Sequence, residues 1–140
     1  MRRSRAAQLV LAIVVLGHLV ISVIHGAAHS GARIPMTLAA NLFIYVVILA
    51  GPLIGLSMTR SRPVAGGWVI AATMAGSLVF GIVNHFVIAS PDHVSHVTAE
   101  WRTLFTVTAV LLAVFEAAGV VLGMTNARRH VTSERLSPAS

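Results

Sequence analysis

Four long apolar runs, separated by short polar linkers, constrain this chain more than any other feature. They cover about 7–28, 34–58, 66–89 and 101–124. Each is close to the roughly 20 residues that a helix needs to cross a hydrocarbon layer about 30 Å thick. Isolated spans must be helical, because the bilayer offers no partners to free backbone groups. The sequence therefore predicts an all-α membrane protein with four transmembrane helices, in one domain covering 1–140.

The composition excludes an ordinary soluble domain. Only 10% of the 140 residues are charged and 56% are hydrophobic, whereas soluble domains carry about 25% charged residues. A soluble domain of this size cannot bury so much apolar surface. The first run resembles a signal peptide in following several arginines, but it is longer than the usual apolar core of about 7–15 residues. We therefore interpret it as a span, with the lipid bilayer as the main partner.

The arginines predict the orientation of the bundle. Short linkers favour antiparallel neighbours, and so an up-down-up-down bundle. In such a bundle, only Arg33 and Arg102 lie on the side opposite the two termini. Because cytoplasmic loops carry the excess of basic residues, both termini are expected on the cytoplasmic side of a bacterial-type inner membrane. Because the arginines flank apolar runs and form no basic patch, no nucleic-acid partner is expected. The other eight are Arg2, Arg3, Arg5, Arg60, Arg62, Arg128, Arg129 and Arg135.

Paired glycines predict close contacts between helices. Gly51 and Gly55 in the second run, and Gly119 and Gly123 in the fourth, are each four residues apart. Small residues at this spacing let helix backbones approach closely. They favour packing within the bundle, and they leave open a homo-oligomer or a membrane partner protein.

Five of the seven histidines belong to the outer side of the predicted bundle. On the first helix, His18, His25 and His29 fall within a sector of about 40°. The chain has no cysteine, so thiolate ligands are excluded, and imidazoles with carboxylates suit zinc, copper(II) or iron. The candidate metal ligands are His25, His29, His85, His93, His96 and Glu100.

The linker before the fourth run carries a helix-start pattern. Ser90-Pro91-Asp92 combines a capping residue, a proline suited to the first helical position and an acid that complements the helix dipole. Helix four is therefore expected to begin near Pro91, which would place His93, His96 and Glu100 on one face. At the other end, a flexible tail is expected over about 127–140.

Further polar residues are candidates to support the predicted metal site or to form a relay beneath it. Asn84 and Asp92 are candidates to accept a histidine N–H and orient its ring. His18 and Glu116 lie inside predicted spans, where ionisable groups are costly and often functional. They are candidates for a relay of protons or ions. Asn41 and Tyr45, four residues apart on the second helix, are expected to line the same interior.

These patterns favour a metal-binding membrane protein, for metal handling or for metal-dependent chemistry in the membrane. Glu100 or Asp92 is the candidate base, but no HExxH or GxSxG motif is present, so the sequence leaves catalysis open. A four-helix membrane bundle with histidines on different helices resembles the architecture of b-type cytochromes. That resemblance implies haem b with His25 and His85 as axial ligands. The third alternative is a non-catalytic scaffold or small subunit of a larger complex.

Overall fold

The structure, a computed structural model, describes residues 2–136, with side chains over 5–132. This part of the chain contains helices and turns and no strand. Helix α1 covers Arg2–Gly31, α2 covers Leu38–Met58, α3 covers Pro63–Val87 and α4 covers Ala99–Leu136. All four are long and apolar enough to cross a membrane. The prediction of an all-α chain with four such helices is confirmed.

Helix α4 begins later than Ser90-Pro91-Asp92 suggests. Residues 88–98 form turns, and the helix starts at Ala99. The hydroxyl of Ser90 accepts the backbone N–H of Asp92 at 3.2 Å, and its carbonyl accepts that of His93 at 3.0 Å. Such local hydrogen bonds offer the backbone an alternative to helix. The expected start near Pro91 is therefore wrong.

The first ten residues of the expected tail, 127–136, are helical, because α4 continues to Leu136. Asn126 donates a side-chain hydrogen bond to the carbonyl of Pro63 at 2.9 Å. Ala127 is fully buried, and its Cβ would lie 3.0 Å from one added at Gly67. These two contacts attach the continuation of α4 to the start of α3. The last part of the predicted tail, 137–140, lies outside the described residues.

Close backbone contacts hold α2, α3 and α4 together. A Cβ added at Gly55 would lie 2.9 Å from the backbone nitrogen of Ile70, and one at Gly123 would lie 2.7 Å from the carbonyl oxygen of Gly67. Only residues without a side chain permit such an approach. The close contacts predicted for the paired glycines are confirmed. The sequence interpretation missed Gly66 and Gly67, which face α2 and α4 respectively.

Two stretches of wider, π-helical turn interrupt the α-helices. In α2 the stretch Ile44–Ala50 precedes Pro52, whose ring would clash with the carbonyl four residues earlier in a regular helix. In α3 the stretch Val83–Val87 contains His85, and the N–H of Ile88 bonds the carbonyl of Val83 at 2.8 Å. Such stretches are frequent at functional sites. Both adjoin the polar centre described next.

Candidate metal centre

Three histidines from two helices meet at one end of the molecule. His25 and His29 lie one turn apart on α1, and His85 lies in the π-helical stretch of α3. One ligand nitrogen from each lies within 4.8 Å of the others, so the group can hold a metal ion. His25 and His85 are buried, and His29 is partly buried. The structure thus brings together three of the six predicted ligands.

A phenylalanine of α4 contacts all three imidazole rings. The ring centroid of Phe105 lies 4.6 Å from that of His25, 4.9 Å from that of His29 and 5.0 Å from that of His85. Phe105 itself has no exposed surface. It therefore closes one side of the site with an apolar wall and limits the positions that the three rings can take.

The hydrogen bonds of His25 identify the nitrogen that faces the other histidines. Its Nδ1 lies 2.8 Å from the hydroxyl oxygen of Thr108. That hydroxyl lies 2.7 Å from the carbonyl of Leu104, which can only accept, and helical threonines commonly donate to this position. Because Thr108 has a single hydrogen to donate, His25 Nδ1 donates to Thr108. Its Nε2 then carries a lone pair.

His85 is oriented in the same way by the linker after α3. Its Nδ1 donates to the backbone carbonyl of Asp92 at 3.2 Å, again an atom that can only accept. The lone pair of His85 is therefore also on Nε2, which lies 3.2 Å from His25 Nε2. Two lone pairs at this distance repel each other unless a cation binds them.

His29 completes the site with a nitrogen that lacks a partner. Its Nε2 lies 3.2 Å from Oδ1 of Asp92, and the same oxygen lies 3.2 Å from His85 Nδ1. Neither contact has hydrogen-bond geometry, and Nδ1 of His29 is buried without any partner among the described residues. A buried polar atom of this kind costs free energy unless something binds it. The carboxylate of Asp92, meanwhile, makes the position attractive to a cation.

The other three predicted ligands lie apart from this group. His93 Nδ1 pairs with the hydroxyl of Ser95 and His96 Nδ1 with the carbonyl of Ser90, each at 2.7 Å. Glu100 is exposed in the first turn of α4. The predicted common face of His93, His96 and Glu100 is not formed, because residues 88–98 are not helical.

The predicted supporting residues divide similarly. Asp92 lies beside His29 and His85. Asn84, by contrast, donates to the carbonyl of Phe80 in its own helix at 2.8 Å. No hydrogen bond joins it to the histidines in the described part of the chain.

A second buried polar pair lies deeper in the bundle. His18 Nε2 is 3.3 Å from Oε1 of Glu116, and the two residues are 1% and 3% exposed. The sequence named these two residues as candidates for a relay, and the structure brings them into contact. Each satisfies part of the other's hydrogen-bonding capacity in an apolar interior, as buried polar groups require.

A cavity of about 270 Å³ connects the two polar sites. The three histidines and Asp92 lie at one end and Glu116 at the other, between walls that include Ile48, Phe80 and Leu112. Asn41 and Tyr45 also line it, as predicted for a shared interior.

Sequence interpretation missed Phe105 and Thr108. Their signal is a helical spacing on the fourth run: Phe105, Thr108, Leu112 and Glu116 follow one another at three or four residues and are all buried. Treating Glu116 as the marker of an inward face would have pointed to Thr108, two turns earlier, as its polar neighbour.

The comparisons with known proteins add no family to this geometry. No protein-family model, no curated protein and no solved structure matches the chain. Any assignment of function therefore depends on the residues of the site itself.

Proposed function

We propose that this chain is an integral membrane protein that binds a divalent transition metal through His25, His29 and His85. The observation that carries the proposal is the convergence of three imidazoles whose ligand nitrogens lie within 4.8 Å of one another. One of the three residues also has a buried nitrogen with no partner among residues 5–132. Metal ligation uses the lone pair of a neutral imidazole, and the hydrogen bonds of His25 and His85 direct such a lone pair inwards.

The nature of the ligands suits zinc, copper(II) or iron. Three imidazoles with an open fourth position are typical of zinc sites that bind water or a substrate oxygen. The cavity adjoins the histidines, so the fourth position would face it. Thr108 and the backbone of Asp92 hold the outer nitrogens, the arrangement that fixes ring orientation around bound metals. When bound, the metal would supply a Lewis acid beside the cavity.

We further propose that the bundle is up-down-up-down, with both termini in the cytoplasm and the histidine site towards the outer face. The contacts support it. Along α1, His18 pairs with Glu116 and the later His25 pairs with the earlier Thr108, so α1 and α4 run in opposite directions. The excess of arginines on the side of the termini supports the orientation. The host would be a bacterial-type inner membrane, and the metal would be handled, or used for chemistry, at its outer side.

Geometry gives the haem alternative no support. Two axial imidazoles must lie on opposite faces of a macrocycle, with metal–nitrogen bonds of about 2 Å each. His25 Nε2 and His85 Nε2 are only 3.2 Å apart, and the two rings are in edge contact at 4.9 Å. Binding haem would require α1 and α3 to separate.

The scaffold alternative corresponds to a different set of hydrogen-bond directions at the histidines. If the hydroxyl of Thr108 donated to His25 instead of to Leu104, His25 Nε2–H could donate to His85, and the network would close without metal. Even then Nδ1 of His29 would keep no partner within the described chain. Metal analysis distinguishes the two arrangements.

The test is elemental analysis and an absorption spectrum on protein purified in mild detergent without a histidine tag. We expect about one zinc, copper or iron per chain and no Soret band. His25→Ala and His85→Ala should each lower metal affinity by more than about 100-fold, since loss of a ligand should exceed the 10–100-fold cost of losing its support. His93→Ala and His96→Ala are the matched controls and should retain the metal. Full metal content in a His25→Ala/His85→Ala double variant would refute the site.

A further inference from the structure

The cavity beside the histidines is lined by exposed residues of both α1 and α2. These two helices share the smallest interface among the neighbouring pairs of the bundle. Val23 and Gly26 of α1 and Tyr45 of α2 line the cavity and are also exposed, Val23 by 62% and Tyr45 by 63%. A Cβ added at Gly26 would meet no described atom within 4 Å. The mouth of the cavity is therefore at Gly26, on the side of the bundle.

The surface around this mouth is apolar. On α1, Val20 and Val23 are 57% and 62% exposed, and Val46 on α2 is 62% exposed. In a chain that spans a membrane, such a surface faces acyl chains. A molecule that enters between α1 and α2 would therefore come from the bilayer and needs an apolar body.

The inside of the cavity has a polar end, which such a molecule must also match. Ile48, Phe80 and Leu112 contribute apolar walls, and the histidines with Asp92 form the end nearest the linker. Without metal this end carries the negative charge of Asp92. A bound divalent cation would reverse the local charge and attract an anionic oxygen to its open coordination position.

We propose that this cavity binds a long-chain carboxylate from the bilayer, with its carboxylate at the metal and its chain leaving between α1 and α2. The inference rests on the proposed metal site, which provides the positive charge. The cavity volume of about 270 Å³ is below the range of roughly 300–1,000 Å³ found for pockets of drug-sized ligands. A cavity this small favours a ligand with one acyl chain over a phospholipid with two.

The test is photo-crosslinking of the zinc-loaded full chain in maltoside micelles, using a palmitic acid that carries a diazirine in its chain. Crosslinked positions are mapped by mass spectrometry. We expect labelling of interior residues such as Leu112 and Phe80. Gly26→Phe places a ring in the mouth without a clash at its Cβ, and it should reduce interior labelling about tenfold or more, the effect of a steric cost near 1.4 kcal/mol. Ala27→Phe is the matched control, since Ala27 is the next residue, is exposed and lies outside the lining.

Competition identifies the head group. Unlabelled palmitic acid should displace the probe from interior positions, and methyl palmitate, which lacks the ionised oxygen, should not. Equal competition by the two would overturn the carboxylate assignment. Competition by a phosphatidylglycerol as strong as that by palmitic acid would overturn the assignment to a single chain.

Zinc content measured on the same samples separates this inference from the proposed function. If the protein binds zinc but Gly26→Phe and Ala27→Phe show equal interior labelling, the carboxylate site is overturned and the metal site stands. If the protein binds no zinc and Gly26→Phe still blocks interior labelling, the metal site and the metal-held head group are both overturned. Zinc-dependent labelling blocked only by Gly26→Phe is the result we expect.

Discussion

Two regions of the molecule are packed differently. In the glycine-packed region, α2, α3 and α4 meet around Gly55, Gly66, Gly67 and Gly123. The histidine end is formed by His25, His29, His85 and Asp92. At the glycines of the glycine-packed region, an added methyl group would meet backbone atoms within 3 Å. At Gly26, beside the histidine end, the same group would meet no described atom within 4 Å. Small residues therefore bring the helices together in one region and leave a gap in the other.

The difference separates the source of stability from the place of chemistry. Backbones that approach this closely gain dispersion contacts and tolerate little change. The histidine end holds polar groups instead, and residues of all four helices line its cavity. A binding site is held to its geometry when rigid elements carry it. Here α3 and α4 belong to both regions, and they carry His85, Phe105 and Thr108.

The largest effect should come from filling the glycine-packed region. Gly123→Val would place side-chain atoms against the carbonyl of Gly67, an atom in the helix backbone that cannot move aside. We expect a loss of more than about 3 kcal/mol, at or beyond the upper end for overpacked cores, measured by thermal unfolding in detergent. Gly26→Val is the matched control and should leave the unfolding temperature nearly unchanged. Similar unfolding temperatures for both variants would contradict the contrast between the two regions.

The four helices could be read from the sequence because apolar length is a local property. Six or seven apolar turns with almost no charge predict a span whatever the neighbours do. The helical spacing of His25 and His29 likewise placed both on one face of the first helix. The start of α4 could not be predicted in this way. Ser90 and Asp92 suit a helix cap and a turn equally well, and the turn forms where Asp92 also contacts His29 and His85.

The errors in the predicted metal site also arise from contacts that a local pattern does not specify. His93, His96 and Glu100 were grouped by a helical spacing that applies only inside a helix. Phe105 contacts the histidines across sequence separations of 20 residues or more, as the numbering shows. Its neighbours depend on how α4 is rotated against α1 and α3, which the sequence of one helix does not specify.

Asp92→Asn should produce the next largest effect, and it acts only at the histidine end. The amide keeps the size of the side chain but removes the negative charge beside His29 and His85. Loss of a group that supports metal-ligating histidines typically lowers affinity by about 10–100-fold. We expect that decrease in zinc affinity by titration, with the unfolding temperature of the zinc-free protein little changed. Glu100→Gln removes an exposed charge and should bind zinc normally; weakening equal to that of Asp92→Asn would indicate a long-range charge effect instead.

The smallest effect concerns the end of α1, which carries His29 into the site. Arg33 adopts a φ of 54°, and the N–H groups of Arg33 and Ile34 bond the carbonyls of Ser30 and His29 at 3.2 and 3.1 Å. This is a helix end that usually uses glycine at the left-handed position. Arg33→Gly should therefore stabilise the protein by about 1 kcal/mol, the lower end of the cost of a left-handed L-residue.

The neighbouring substitution Ala32→Gly provides the control for Arg33→Gly. Ala32 has no positive φ, so glycine there should destabilise the protein by about 0.5–1 kcal/mol through the entropy of the unfolded chain. Both variants keep the carbonyl of His29 and should bind zinc as the parent does. A decrease in unfolding temperature for Arg33→Gly would mean that the Arg33 side chain contributes more than its backbone strain costs. The histidine end would then depend on that side chain as well as on the geometry of the helix end.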